Sequence, residues 1–205
     1  IISIQFNHET QDLYTLDSIG KARIIPATMT LPERILKTPT DTEPEFLLST
    51  PSQIICSMNN TLLGVWDLVN EEILPAKTWL VETSHESKII SLQISQDHKY
   101  LFSGSGKSII IMSLPDMKQK NIIKLGAKNT LASFEIFPRE PKIVVFSYEE
   151  GAPDYKRIVQ IYNYETGKKV KEHFTFQDGI HTPRLIYNAT GVVSIGVQDW
   201  EIFDF

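Results

Sequence analysis

A six-residue pattern returns along this chain at nearly constant spacing, and no other feature restricts its fold as strongly. Ile1–Phe6 reads IISIQF, Ile89–Ile94 reads IISLQI and Leu131–Ile136 reads LASFEI. The second begins 88 positions after the first, two periods of about 44, and the third follows 42 positions later. Each alternates apolar and polar residues, the period of a half-buried strand. Each is followed by a polar turn (NHETQD, SQDHK, PREPK), a second apolar strand (LYTL, YLFSGS, IVVFSY) and a third (ARII, SIIIMSL, RIVQIYNY). Short strands joined by turns and repeated at this interval predict an all-β fold, a β-propeller of four-stranded antiparallel blades.

The clearest copy runs from Ser84 to Leu114, with strands over Ile89–Ile94, Tyr100–Ser105 and Ser108–Leu114. Around it the chain divides into about five blade-like units: 1–44, 45–84, 85–128, 129–178 and 179–205. Between Pro26 and Pro51 five prolines break the pattern. Proline lacks the donor that a central strand needs, so this stretch reads as a connection with an outer strand near Arg34–Lys37. The first residues start inside one strand pattern and the last stop inside another, so the chain is expected to be part of a larger seven-bladed or double propeller. Two blade faces would then be open if it were made alone.

One third strand ends in Trp66-Asp67, and His85 stands four residues before the next first strand at Ile89, with His181 at the same distance before Leu185. On these residues the chain resembles the WD-repeat family, whose blades close the third strand with Trp-Asp and carry Gly-His in the connection to the next blade. The aligned ends Met112-Ser113, Tyr162-Asn163 and Phe203-Asp204 are degenerate forms. The resemblance implies a hydrogen-bonded tetrad of connection His, second-strand Ser or Thr, hairpin Asp and third-strand Trp. No unit here has all four. Asn60 stands where the Asp would precede Trp66, and Gly106 where it would precede Met112. The fold is therefore expected without its usual polar brace.

The formal net charge of −5 gives no overall basic bias of the kind that phosphate neutralisation requires. Direct nucleic-acid binding is therefore not expected, although a local basic patch stays open. Cys56 is the lone cysteine, so neither an internal disulfide nor a cysteine-built zinc site can form, and a reducing intracellular setting is expected. Cytoplasmic, ciliary and nuclear or nucleolar settings are not distinguished. No apolar run reaches the roughly 20 residues of a bilayer span. The segment Gly104-Ser105-Gly106-Lys107-Ser108 resembles the end of a phosphate loop but lacks the upstream glycine and a following helix, so it reads as a hairpin turn. No zinc-ligand pair or nucleophile elbow occurs, and no catalytic residue, cofactor, metal or small-molecule substrate is expected.

Three functional readings follow. The first is a non-catalytic protein-interaction scaffold, a subunit of a larger eukaryotic assembly whose partners are other proteins. The second is a propeller hydrolase or lactonase with a channel metal, which the apolar first strands disfavour. The third is an RNA-associated assembly factor, of ribonucleoprotein or ribosome biogenesis type. For the scaffold, His85, Lys107, Tyr155, Arg157 and His181 are the candidate contact rim, because one rim of a WD-repeat blade carries both the enlarged hairpin Tyr148–Arg157 and the connection holding His85.

Overall fold

The computed structural model describes residues 3–7, 11–17, 22–27, 34–36, 44–58, 61–67, 78–151, 157–175, 191–195 and 200–204. Among them there are strands and turns and no helix. Four sheets have four strands each, in simple meander order. Blade A holds β1 (Ser3–Phe6), β2 (Leu13–Leu16), β3 (Ala22–Ile25) and β4 (Arg34–Leu36). Blade B holds β5 (Pro44–Ser49), β6 (Gln53–Met58), β7 (Leu62–Asp67) and β8 (Thr78–Glu82). Blade C holds β9 (Ile89–Ile94), β10 (Tyr100–Ser105), β11 (Ser108–Ser113) and β12 (Lys118–Lys124). Blade D holds β13 (Asn129–Ile136), β14 (Lys142–Glu149), β15 (Arg157–Asn163) and β16 (Lys169–Thr175). A further pair, β17 (Gly191–Ile195) and β18 (Trp200–Asp204), is antiparallel. The outer strand expected near Arg34 is present as β4, and Gly106-Lys107 is the hairpin turn between β10 and β11.

The middle strands explain why these sheets stack. Successive side chains on a strand point to opposite faces. The alternation in β6 and β7 therefore gives blade B two apolar faces, and all six residues of β6 are buried. Ile54, Cys56, Met58 and Trp66 pack with Tyr14, Leu16 and Ile24 of blade A. Ile55, Leu63 and Val65 pack on the other side with Leu92, Leu101, Ile110 and Met112 of blade C. Blade C repeats the arrangement. Phe102, Ile109, Ile111 and Ile123 meet Leu131, Phe134, Ile143 and Val145 of blade D. Each fully buried Leu, Ile or Phe contributes about 1.5–3 kcal/mol relative to exposure.

Candidate functional site

The rim that carries the β10–β11 turn is built from short polar links between blades. A Cβ placed on Gly106 would lie 3.4 Å from Ser87 Oγ, so this turn sits beside the connection that holds His85. On its other side Lys107 Nζ donates to Glu150 Oε1 at 2.9 Å, Thr130 Oγ1 at 3.1 Å, Asn129 O at 3.3 Å and Ala127 O at 3.4 Å. Glu150 also accepts from the Thr130 hydroxyl, and these two donors hold its carboxyl below the usual range. Lys107 thus ties the β10–β11 turn to the β12–β13 connection and to the β14–β15 hairpin. Arg157 opens β15 opposite Tyr148, and its partial burial draws the guanidinium below its ordinary pKa. The structure brings Lys107, Glu150, Tyr148 and Arg157 to one rim. Tyr155 and His181 lie outside the described residues.

His85 belongs to the interior of blade C rather than to the surface. It is only 6% exposed. Its Nε2 lies 2.9 Å from Ser103 Oγ and its Nδ1 3.1 Å from Ser108 Oγ. A neutral imidazole offers one donor and one acceptor, and a hydroxyl can serve as either, so one tautomer satisfies both contacts. Burial lowers the His85 pKa from 6.5 to about 4, which keeps the ring neutral near pH 7. Blade C thus carries a partial brace, with Gly106 and Met112 standing where the Asp and Trp members would be. Ser103 supplies the usual second-strand partner, and Ser108, one residue past the hairpin, takes the second nitrogen where Gly106 offers no side chain.

Blade B fills the same place with apolar groups. Cys56 and Met58 occupy the β6 positions equivalent to Ser103 and Ser105, counted from the pairings Ile54–Trp66 and Leu101–Met112. Trp66 is 3% exposed and packs in that cluster. Asp67 accepts from Gln53 Nε2 at 3.0 Å, and the same amide donates to Pro115 O of blade C at 3.0 Å. Burial pushes the Cys56 thiol up to about 12, so it carries no thiolate chemistry at neutral pH. Among the described residues no group of three His, Cys, Asp or Glu side chains is placed to hold a metal ion.

At the opposite rim an open groove of about 230 Å³ lies between blades C and D, with Asp97, Phe137, Arg139 and Tyr164 in its wall. The Tyr164 ring packs on Phe102 edge-on, with centroids 5.0 Å apart, and is tilted on Tyr100 at 5.7 Å. Asn121 Nδ2 donates across the seam to Tyr164 O at 3.0 Å and Glu165 O at 3.1 Å. Sequence reasoning missed these cross-blade partners, which stand more than forty residues apart.

No protein-family model and no curated protein matches this sequence. In three dimensions 636 solved chains resemble it, too many to single out one role. Among them, the structure of U3-55K matches with a TM-score of 0.58 at 17% identity, covering 83% of this chain and 54% of that one. The crystal structure of RRP9 WD40 repeats matches with the same score, identity and share of this chain, and 53% of its own length is covered. This chain therefore spans about half the length of these two solved structures. Such identity speaks for the fold alone. The repeated meander, the stacked apolar faces and this likeness together give the chain a β-propeller fold similar to that of the WD40-repeat structure.

Proposed function

We propose that this chain is a non-catalytic protein-interaction scaffold, a subunit of a larger assembly whose partners are other proteins. The observation that carries this reading is the rim of blades C and D. There Lys107 bonds to four acceptors, on the β12–β13 connection, the start of β13 and the β14–β15 hairpin, so three neighbouring segments are tied together under the loop residues. Specific recognition by loops needs such a rigid support. Tyr148 and Arg157, types enriched at interaction hot spots, stand beside it. Tyr148 is 36% exposed and open to a partner. Tyr155 and His181 join this candidate rim on sequence grounds, and His85 supports it from within.

The test is affinity purification of the full chain, with mass spectrometry of what co-purifies in near-equal amounts. Stable stoichiometric partners, lost in a Tyr148→Ala/Arg157→Ala variant that keeps its thermal transition, are the expected result. A monomer that captures nothing would overturn the reading and direct attention to hydrolase chemistry.

A further inference from the structure

We infer that the outer edges of blades C and D form a basic strip that binds the phosphate backbone of a nucleic acid, independent of sequence. The strip joins two segments distant in the chain. β12 carries Lys118, Lys120 and Lys124, and the turn into β16 and β16 itself carry Lys168, Lys169 and Lys171. All six are exposed. Asn121 fixes the two segments side by side through its bonds to Tyr164 and Glu165, and a Cβ on Gly167 would already lie 3.0 Å from the Asn121 side chain. Lys120 and Lys168 thus flank one seam.

These six lysines share the strip with three acids, Asp116, Glu165 and Glu172, giving a local excess of three positive charges in a chain of net charge −5. Lys118 pairs with Asp116 at 3.3 Å and Lys169 with Glu172 at 2.5 Å. Lys120, Lys124 and Lys168 make no side-chain ion pair among the described residues.

Lysines on an edge strand often serve only to prevent unwanted strand pairing. Two observations argue for more here. First, the other outer strands do not use them: β8 reads TWLVE and β4 reads RIL. Second, both lysine-bearing edges are already interrupted by a bulge, at Lys120 against Ile111 and Met112, and at Val170 against Ile161 and Tyr162. A bulge twists an edge out of register for an added strand. The same bulges disfavour an acidic polypeptide docking as a fifth strand, whereas a phosphate backbone needs only clustered cations.

The test measures fluorescence anisotropy of the full chain with a labelled single-stranded RNA of mixed sequence, a DNA of the same sequence, and polyglutamate. Binding of the RNA at low salt is expected, weakening linearly in log–log form as salt rises. Equal binding of the DNA marks the phosphates as the recognised group, and preference for the RNA adds a contact to its 2′-hydroxyls; both support the strip. The variant Lys120→Gln/Lys124→Gln/Lys168→Gln is expected to bind about tenfold or more weakly, with the salt slope reduced by about 1 per lysine. Its thermal transition should stay unchanged. Failure to bind either nucleic acid at low salt, or binding indifferent to the triple variant, overturns the inference. So does lysine-dependent capture of polyglutamate with no capture of nucleic acid.

Discussion

The two seams of blade C share an apolar layer and differ in how many directional bonds cross it. Toward blade B the contact is an apolar layer around Ile55, Val65, Leu101 and Met112, with His85 sealed close behind it. It is bridged by Gln53 Nε2 donating to Pro115 O at 3.0 Å and by the exposed ion pair of Lys88 with Glu45. Toward blade D the layer around Phe102, Ile109 and Phe134 is crossed by directional bonds. Leu131 N donates to Gly106 O at 2.8 Å, Gln93 Nε2 to Phe134 O at 2.8 Å, and Asn121 closes one rim while Lys107 closes the other. Apolar contact is non-directional and holds two sheets together without fixing their angle. Hydrogen bonds depend steeply on geometry and fix it. The C–D seam carries more of these bonds, and the rim residues proposed for recognition stand on it.

The sharpest way to break the contrast is Phe102→Ala. Phe102 is fully buried in the C–D layer and supports the Tyr164 ring, so its loss should cost about 3–5 kcal/mol, read as a lower midpoint in urea. His85→Ala probes the other side. It leaves the fully buried Ser103 hydroxyl without its partner and should cost about 1–3 kcal/mol. It should also change how stability follows pH. The folded pKa of about 4 lies below the ordinary 6.5, so the unfolded chain binds the proton more readily. The contribution is complete above about 6.5 and declines as pH falls toward about 4. Midpoints measured across that window should show this decline in the parent, and the His85→Ala variant should lack that component.

Gly104→Ala follows in size. Its Cβ would stand 2.7 Å from both Leu131 Cδ2 and Phe134 Cε1, so these two packed side chains must give way. Overpacking of about 1–3 kcal/mol, less about 0.5–1 kcal/mol gained by replacing glycine in a strand, leaves a modest net loss. Hydrogen exchange should quicken in β13 before it does in β6. Lys107→Met is the smallest change. Its ion pair with Glu150 is exposed and screened by water, so the unfolding midpoint should hardly move, with partner capture as the more sensitive readout.

Much of the blade framework was legible because alternation and turns are local. Tyr100–Ser105 and the strand beginning at Ser108 are visible in the order of residues, and even β4 shows between its flanking prolines. The seams were not, because their partners are separated by a whole blade. Nothing near Asn121 announces Tyr164, and nothing near Lys107 announces Glu150. His85 was legible as the connection residue of the family pattern, yet its burial and its two serine partners were not. The family pattern directs attention to the hairpin position held by Gly106, and the hydroxyl two residues on fills that role. The whole-chain charge likewise hides the lysine strip, since a sum over 205 residues has no position.

Gly104 and Phe134 carry a consequence for how such a chain can change over time. The ring of Phe134 occupies the volume that a side chain at position 104 would need. The two positions therefore compete for one volume. A larger residue at 104 is expected to fit better once a smaller one has replaced Phe134 and the Leu131 side chain has turned aside, and the reverse order passes through a wedged seam. In descendants of this sequence the pair should vary together, small with large, although thirty positions of chain lie between them. The double variant Gly104→Ala/Phe134→Leu should recover stability that Gly104→Ala alone loses, which makes that history repeatable in one experiment.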